Sequence, residues 1–258
     1  GNSAGNDSQK TNSIAIGNSA GENDQGGSSI AIGNAAGQYQ LGLLSNFSIA
    51  IGDSAANTYQ SAYSIAMGKD AAKTDQSFAS IAIGYQAGKD YQQPHSIAIG
   101  SEAGSDNQKN KCIAIGFEAG EDTQESHSIA IGSEAGKTLQ KSYSIAIGDN
   151  AGADNQDNSS IAIGSFAGTT QQENFAIAIG ASAGNTQQKD NSIAIGKNAG
   201  QTNQLHNSIA IGIDAGKTDQ GMQCVAMGNN AGKNGQSDNS IAIGLSAGKE
   251  NQSATCVA

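Results

Sequence analysis

The chain has 258 residues, of which 35 are Gly, one is Pro (Pro94), none is Trp and only 4% are aromatic, too few large side chains for an ordinary compact core. Its formal charge of −10, from 23 acidic residues against 13 basic ones that are all Lys, works against non-specific binding to nucleic acid or to an anionic membrane. No apolar run approaches the roughly 18 residues of a membrane span, so membrane insertion by this segment is not expected.

Such a polar, low-complexity composition would suit a disordered chain. The placement of Ile argues otherwise, because disorder has no use for register. The chain starts at Gly1 rather than at an initiator Met, and no signal peptide is expected in it. That suggests a processed chain or a segment of a longer one, read here as a single array over residues 1–258. Residues 1–12 read as the tail of one repeat. The stretch Ile-Ala-Ile-Gly, or a near variant, then begins at 14, 30, 49, 65, 81, 97, 113, 129, 145, 161, 177, 193, 209, 225 and 241. Every interval is sixteen except the second, which is nineteen. Met67 and Met227 replace the second Ile, and Val225 the first.

One turn, 144–159, shows the pattern. Ser144-Ile145-Ala146-Ile147-Gly148 alternates with period two and reads as a strand. Ala151-Gly152 follows a variable polar pair, and Gln156 closes a second variable segment. Gly148 and Gly152 are natural corners. A unit this short has no room for a helix. It predicts an all-β, parallel β-solenoid (β-roll) of about sixteen coils, with a second, weaker strand near Gln156. At a strand spacing of ~4.8 Å the array would make a rod on the order of 75 Å long. The nineteen-residue turn places an insertion at a corner around 38–47, whose Leu41, Leu43, Leu44 and Phe47 suggest a small apolar flap or a partner contact.

Strand alternation leaves two arrangements. In the first, Ile145, Ile147, Ala151 and Gln156 form the core, with stacked Gln amides bonding from coil to coil. Ser144, Ala146 and Gly148 then face outward. In the second, Ala is buried and two columns of Ile meet water unless a partner covers them. The Ala146-type position never varies, so the first arrangement predicts an oligomer face of Ala130, Ala146, Ala162, Ala178, Ala194 and Ala210. Two buried Ile contribute ~1.5–3 kcal/mol each per coil, against backbone ordering of ~1–2 kcal/mol per residue. Association of copies of the chain is expected on either arrangement.

The run Asn-Ser-Ile-Ala-Ile-Gly, at 191–196, 207–212 and 239–244 and followed three residues later by Ala, resembles the head repeat of YadA-like trimeric autotransporter adhesins. Similar repeats occur in phage and giant-virus fibres. The resemblance implies a left-handed β-roll, a homotrimer about a common axis, display on a cell or virion surface, and binding to a host receptor or matrix protein. The sixteen-residue period is slightly longer than the family's usual one.

The remaining residues offer little chemistry. Cys112, Cys224 and Cys256 stand where most repeats have Ser, and their spacing fits no metal or redox motif. His95 and His127 share a column two turns apart, too far for a common metal, with His206 one position off. Glu102, Glu118 and Glu134 stack in consecutive turns, where a cation could bridge them or where they could simply be solvated. Lys217, Lys233 and Lys249 form a matching basic column. No nucleophile, acid pair or phosphate loop can be drawn, so neither enzymatic activity nor a cofactor is expected. The expected function is a non-enzymatic fibre or adhesin rod. An ice-binding solenoid, or a filament or surface layer built by end-to-end stacking, stands as the alternative.

Overall fold

The computed structural model describes residues 1–39 and 46–258. It forms two compact units, Gly1–His127 and Ser128–Ala258. In the first unit the strands Ile14–Ile16, Ile30–Ile32, Ile49–Ile51, Ile65–Met67, Ile81–Ile83, Ile97–Ile99 and Ile113–Ile115 lie side by side in chain order. Each pairs in parallel with the next, displaced by one repeat, as in Ile14↔Ile30 and Ile97↔Ile113. The nineteen-residue interval leaves this register intact: Ile30, Ala31 and Ile32 pair with Ile49, Ala50 and Ile51. The expected Leu41, Leu43 and Leu44 cluster lies outside the described residues. A second strand appears at Thr58–Gln60 and Thr74–Gln76, also parallel.

The second unit repeats the plan with fewer interruptions. Ile129–Ile131, Ile145–Ile147, Ile161–Ile163, Ile177–Ile179, Ile193–Ile195, Ile209–Ile211, Val225–Met227 and Ile241–Ile243 make one parallel sheet. The strands from Asp154–Gln156 to Glu250–Gln252 make another, in which Gln156 pairs with Gln172 and Gln172 with Gln188. The described residues hold fifteen Ile-type strands and no helix, so the chain is an all-β parallel solenoid of about fifteen turns.

A sixteen-residue coil must turn sharply several times, and the backbone shows where. In one turn Gly148, Asn150, Gly152, Asn155 and Ser159 all have positive φ, at 131°, 53°, 53°, 54° and 56°. Small polar side chains tolerate the left-handed region better than most because they bond to the local backbone. This is why the variable corner positions are so rich in Asn, Asp and Ser.

The interior is narrow and largely polar. Ala146, Ala151, Gln156 and Ser160 are all fully buried, and the same columns are buried in most turns. Cys112 and Cys224 are buried in the Ser column, whereas Cys256 is exposed. Core Gln side chains cap an opposite carbonyl and in most turns reach the next Gln, the chain of amides stopping before Gln252, whose Oε1 has no partner among the described residues. Gln172 Nε2 donates to Ile161 O at 2.8 Å and to Gln188 Oε1 at 3.1 Å, while Gln172 Oε1 accepts from Gln156 Nε2 at 3.1 Å. Ser160 Oγ donates to Asp157 O at 2.7 Å, tying off the corner.

This core corrects the first arrangement. Ala130, Ala146, Ala162, Ala178, Ala194 and Ala210 are 0% exposed and point inward, so they form no outer face. Ile145 and Ile147 are half-buried on the outer side. Of the expected core set only Ala151 and Gln156 lie inside. The physical reason is width. A Cβ placed on Gly152 would sit 2.8 Å from Gln156 Oε1 and 3.3 Å from Ala146 Cβ. A coil this thin accommodates Ala opposite Gln and has no space for a branched four-carbon side chain.

Candidate interaction surface

Turning Ile outward gives the Ile strands of each unit two apolar columns. Within a column the side chains stack in register, Ile147 over Ile163 and Ile163 over Ile179, and this keeps most of them half-buried. Exposure reaches 36% at Ile115 and Ile195 and 39% at Met67 and Met227, and is highest in the first and last strands, 57% at Ile16 and 59% at Ile243. The intervening Ala is inside, so the outer face carries Ile, Met and Val at every outward strand position. Burying apolar surface gains about 25 cal/mol per Å², and a face of this regularity matches a partner that repeats with the same period.

A second exposed feature runs along one corner of the first unit. Phe47 stacks on Tyr63 at 5.3 Å with an interplanar angle of 11°, Tyr63 meets Phe78 edge-on at 5.5 Å, and Phe78 meets His95 edge-on at 5.7 Å. Phe47 therefore joins an aromatic row. The sequence signal was the sixteen-residue spacing of Phe47 and Tyr63, masked because Phe78 is displaced by one position.

Some members of the charged columns form local pairs. Glu134 pairs with Lys137 at 3.4 Å. Glu102 and Glu118 belong to the first unit and Glu134 to the second. Lys217 and Lys233 both bind Asp214, at 3.5 and 3.0 Å. Burial of Asp214 disfavours its charge. The amide of Asn198, donating at 2.9 Å, and the ammonium groups of Lys233 and Lys217 outweigh that and hold its carboxyl below the ordinary range. A depressed folded-state pKa adds stability above the unfolded value of about 3.9, and that stability is lost as pH falls through the folded value. Urea midpoints measured from about pH 4 downward should fall less steeply in Asp214→Asn than in the wild type. Parallel curves would remove Asp214 from the acid response.

His95 is tied into the aromatic row. His206 Nδ1 lies 3.9 Å from Asp190 Oδ2, on three turns that also bring in Glu173. Sequence columns concealed this grouping, because Glu173 sits one position before the column of Asp190 and His206.

No curated protein and no solved structure gives a match to this chain. A family model described as the YadA head domain repeat matches two stretches, residues 141–167 and 188–199. Both fall in the second unit and each contains or abuts an Ser-Ile-Ala-Ile-Gly strand. The short matched stretches and the coiled, in-register geometry agree that the repeat of this chain is similar to the YadA-like head repeat.

Proposed function

We propose that the chain is a non-enzymatic, adhesin-like fibre segment that is displayed on a cell or virion surface and associates as a homotrimer through its outward Ile columns. The observation that carries this reading is the unbroken apolar face formed by Ile145, Ile147 and their equivalents. In an isolated chain those columns leave apolar surface facing water in every turn. Copies of the same chain, having the same period, cover it without any change of register. The YadA-like repeat supports both the association and the surface role. A left-handed coil and contact with a host receptor or matrix protein belong to the same reading.

The association can be tested on the chain directly. Ile163→Lys combined with Ile179→Lys places two charges on the outer columns while leaving every buried Ala and Gln in place. Light scattering should give a trimer mass for the wild type and a monomer mass for the double variant, with the β-type circular dichroism retained. A monomeric wild type would overturn the proposal, and so would a trimer indifferent to the two Lys.

A further inference from the structure

Glu173, Asp190 and His206 come from three successive turns of the second unit, and each offers one ligand atom such that all three lie within 4.8 Å of one another. All three side chains are half-buried at one corner. Asp190 Oδ1 accepts from Asn174 Nδ2 at 3.2 Å, and Oδ2 lies 3.9 Å from His206 Nδ1. Glu173 Oε2 accepts from the backbone N–H of Asp190 at 3.3 Å, and Oε1 accepts from Lys189 Nζ at 2.6 Å. Donors at about 2.0–2.2 Å from one tetrahedral ion stand about 3.3–3.6 Å apart, so side-chain shifts of up to about 1 Å would bring this set onto one ion.

We propose that Glu173, Asp190 and His206 bind a divalent transition-metal ion of the zinc type. The donor set selects the class. One imidazole nitrogen with two carboxylates suits Zn²⁺ or its neighbours, whereas Ca²⁺ and Mg²⁺ take oxygen donors alone. A purely carboxylate column such as Glu102 and Glu118 offers no such selectivity. Lys189 is built into the site as a competitor, since its ammonium neutralises Glu173 where the ion would otherwise draw on that charge. Solvent or a fourth donor completes the tetrahedron. An ion held here would add a side-chain clip to three turns whose backbones already bond at this corner, Glu173 N to Gln188 O at 2.9 Å and Asn207 N to Asp190 O at 3.1 Å.

The test is a Zn²⁺ titration of the whole chain by calorimetry, with thermal unfolding followed in parallel. One equivalent of Zn²⁺ should bind and raise the unfolding temperature. His206→Ala should weaken that binding by at least about tenfold, and Lys189→Ala should strengthen it. His206 is half-buried at the corner and outside the core, so loss of binding without loss of the β-type circular dichroism identifies a ligand. Absence of saturable Zn²⁺ binding overturns the proposal. So does binding that His206→Ala leaves unchanged, or Ca²⁺ binding as tightly as Zn²⁺.

Discussion

Gln172→Ala is expected to destabilise the second unit by roughly 3–6 kcal/mol, because several buried polar atoms lose their partner at once. Ile161 O and Gln188 Oε1 each lose a donor, and Gln156 Nε2 loses an acceptor. At about 1–3 kcal/mol for each buried group left unpaired, the sum is a large fraction of what a domain of this size possesses. Nothing nearby can move in, since the facing residues are Ala and Gly. The control is one position away: Gln171 is exposed, and Gln171→Ala should change stability by less than about 0.5 kcal/mol. Urea unfolding of the two variants separates them. A Gln172→Ala variant within 1 kcal/mol of wild type would mean that the amide ladder is dispensable, an outcome the general unpaired-group costs do not allow.

The second large effect distinguishes two kinds of glycine. Gly164 has φ of 126°, and a Cβ built on it would lie 2.8 Å from the carbonyl carbon and oxygen of Gly180 in the next turn. Backbone cannot yield there without breaking the sheet. Gly168 has φ of 52°, and its Cβ would meet the side-chain amide of Gln172, at 2.8 Å from Oε1, 2.9 Å from Cδ and 3.2 Å from Nε2, rather than backbone. The protein itself places Ala in that second column, at Ala56 and Ala72, each with φ of 45°. Gly164→Ala should therefore cost more than about 4 kcal/mol, and Gly168→Ala only about 1–2 kcal/mol of left-handed strain. Comparable unfolding midpoints for the two would refute the distinction.

Much of the architecture was readable from spacing. A strict period of sixteen, broken once, locates every Ile strand, and parallel in-register stacking follows from identical residues meeting identical residues. The direction of the strand faces was not readable from alternation, which is symmetric between inside and outside. The missed clue was internal variation. Ile gives way to Met67, Val225 and Met227, while Ala at the strand centre and Gln156 or its equivalent hold firm. Positions that tolerate a change of shape are outside, where a column can adjust; the unchanging Ala marks a confined space. That constancy reflects tight packing within the coil rather than a surface between chains. The Glu173, Asp190 and His206 grouping was hidden for another reason. At a corner, neighbours in space differ by sixteen or seventeen positions, so a strict column misses them.

The register of the Ile strands has a consequence for how such a chain can change. Ile145 pairs with Ile161 by the same contacts that join Ile161 to Ile177. Removing or duplicating one complete turn would reconnect each strand to an equivalent neighbour, with the Gln ladder and the Gly column continuing across the join. Length is then adjustable in steps of one repeat, at the level of the gene, with little structural penalty. Deleting five residues from a turn breaks register, whereas deleting sixteen only shortens the stack. The same equivalence means that a pairing shifted by a whole turn would meet identical partners, and the solitary nineteen-residue interval is a landmark that distinguishes the correct pairing from its shifted copies.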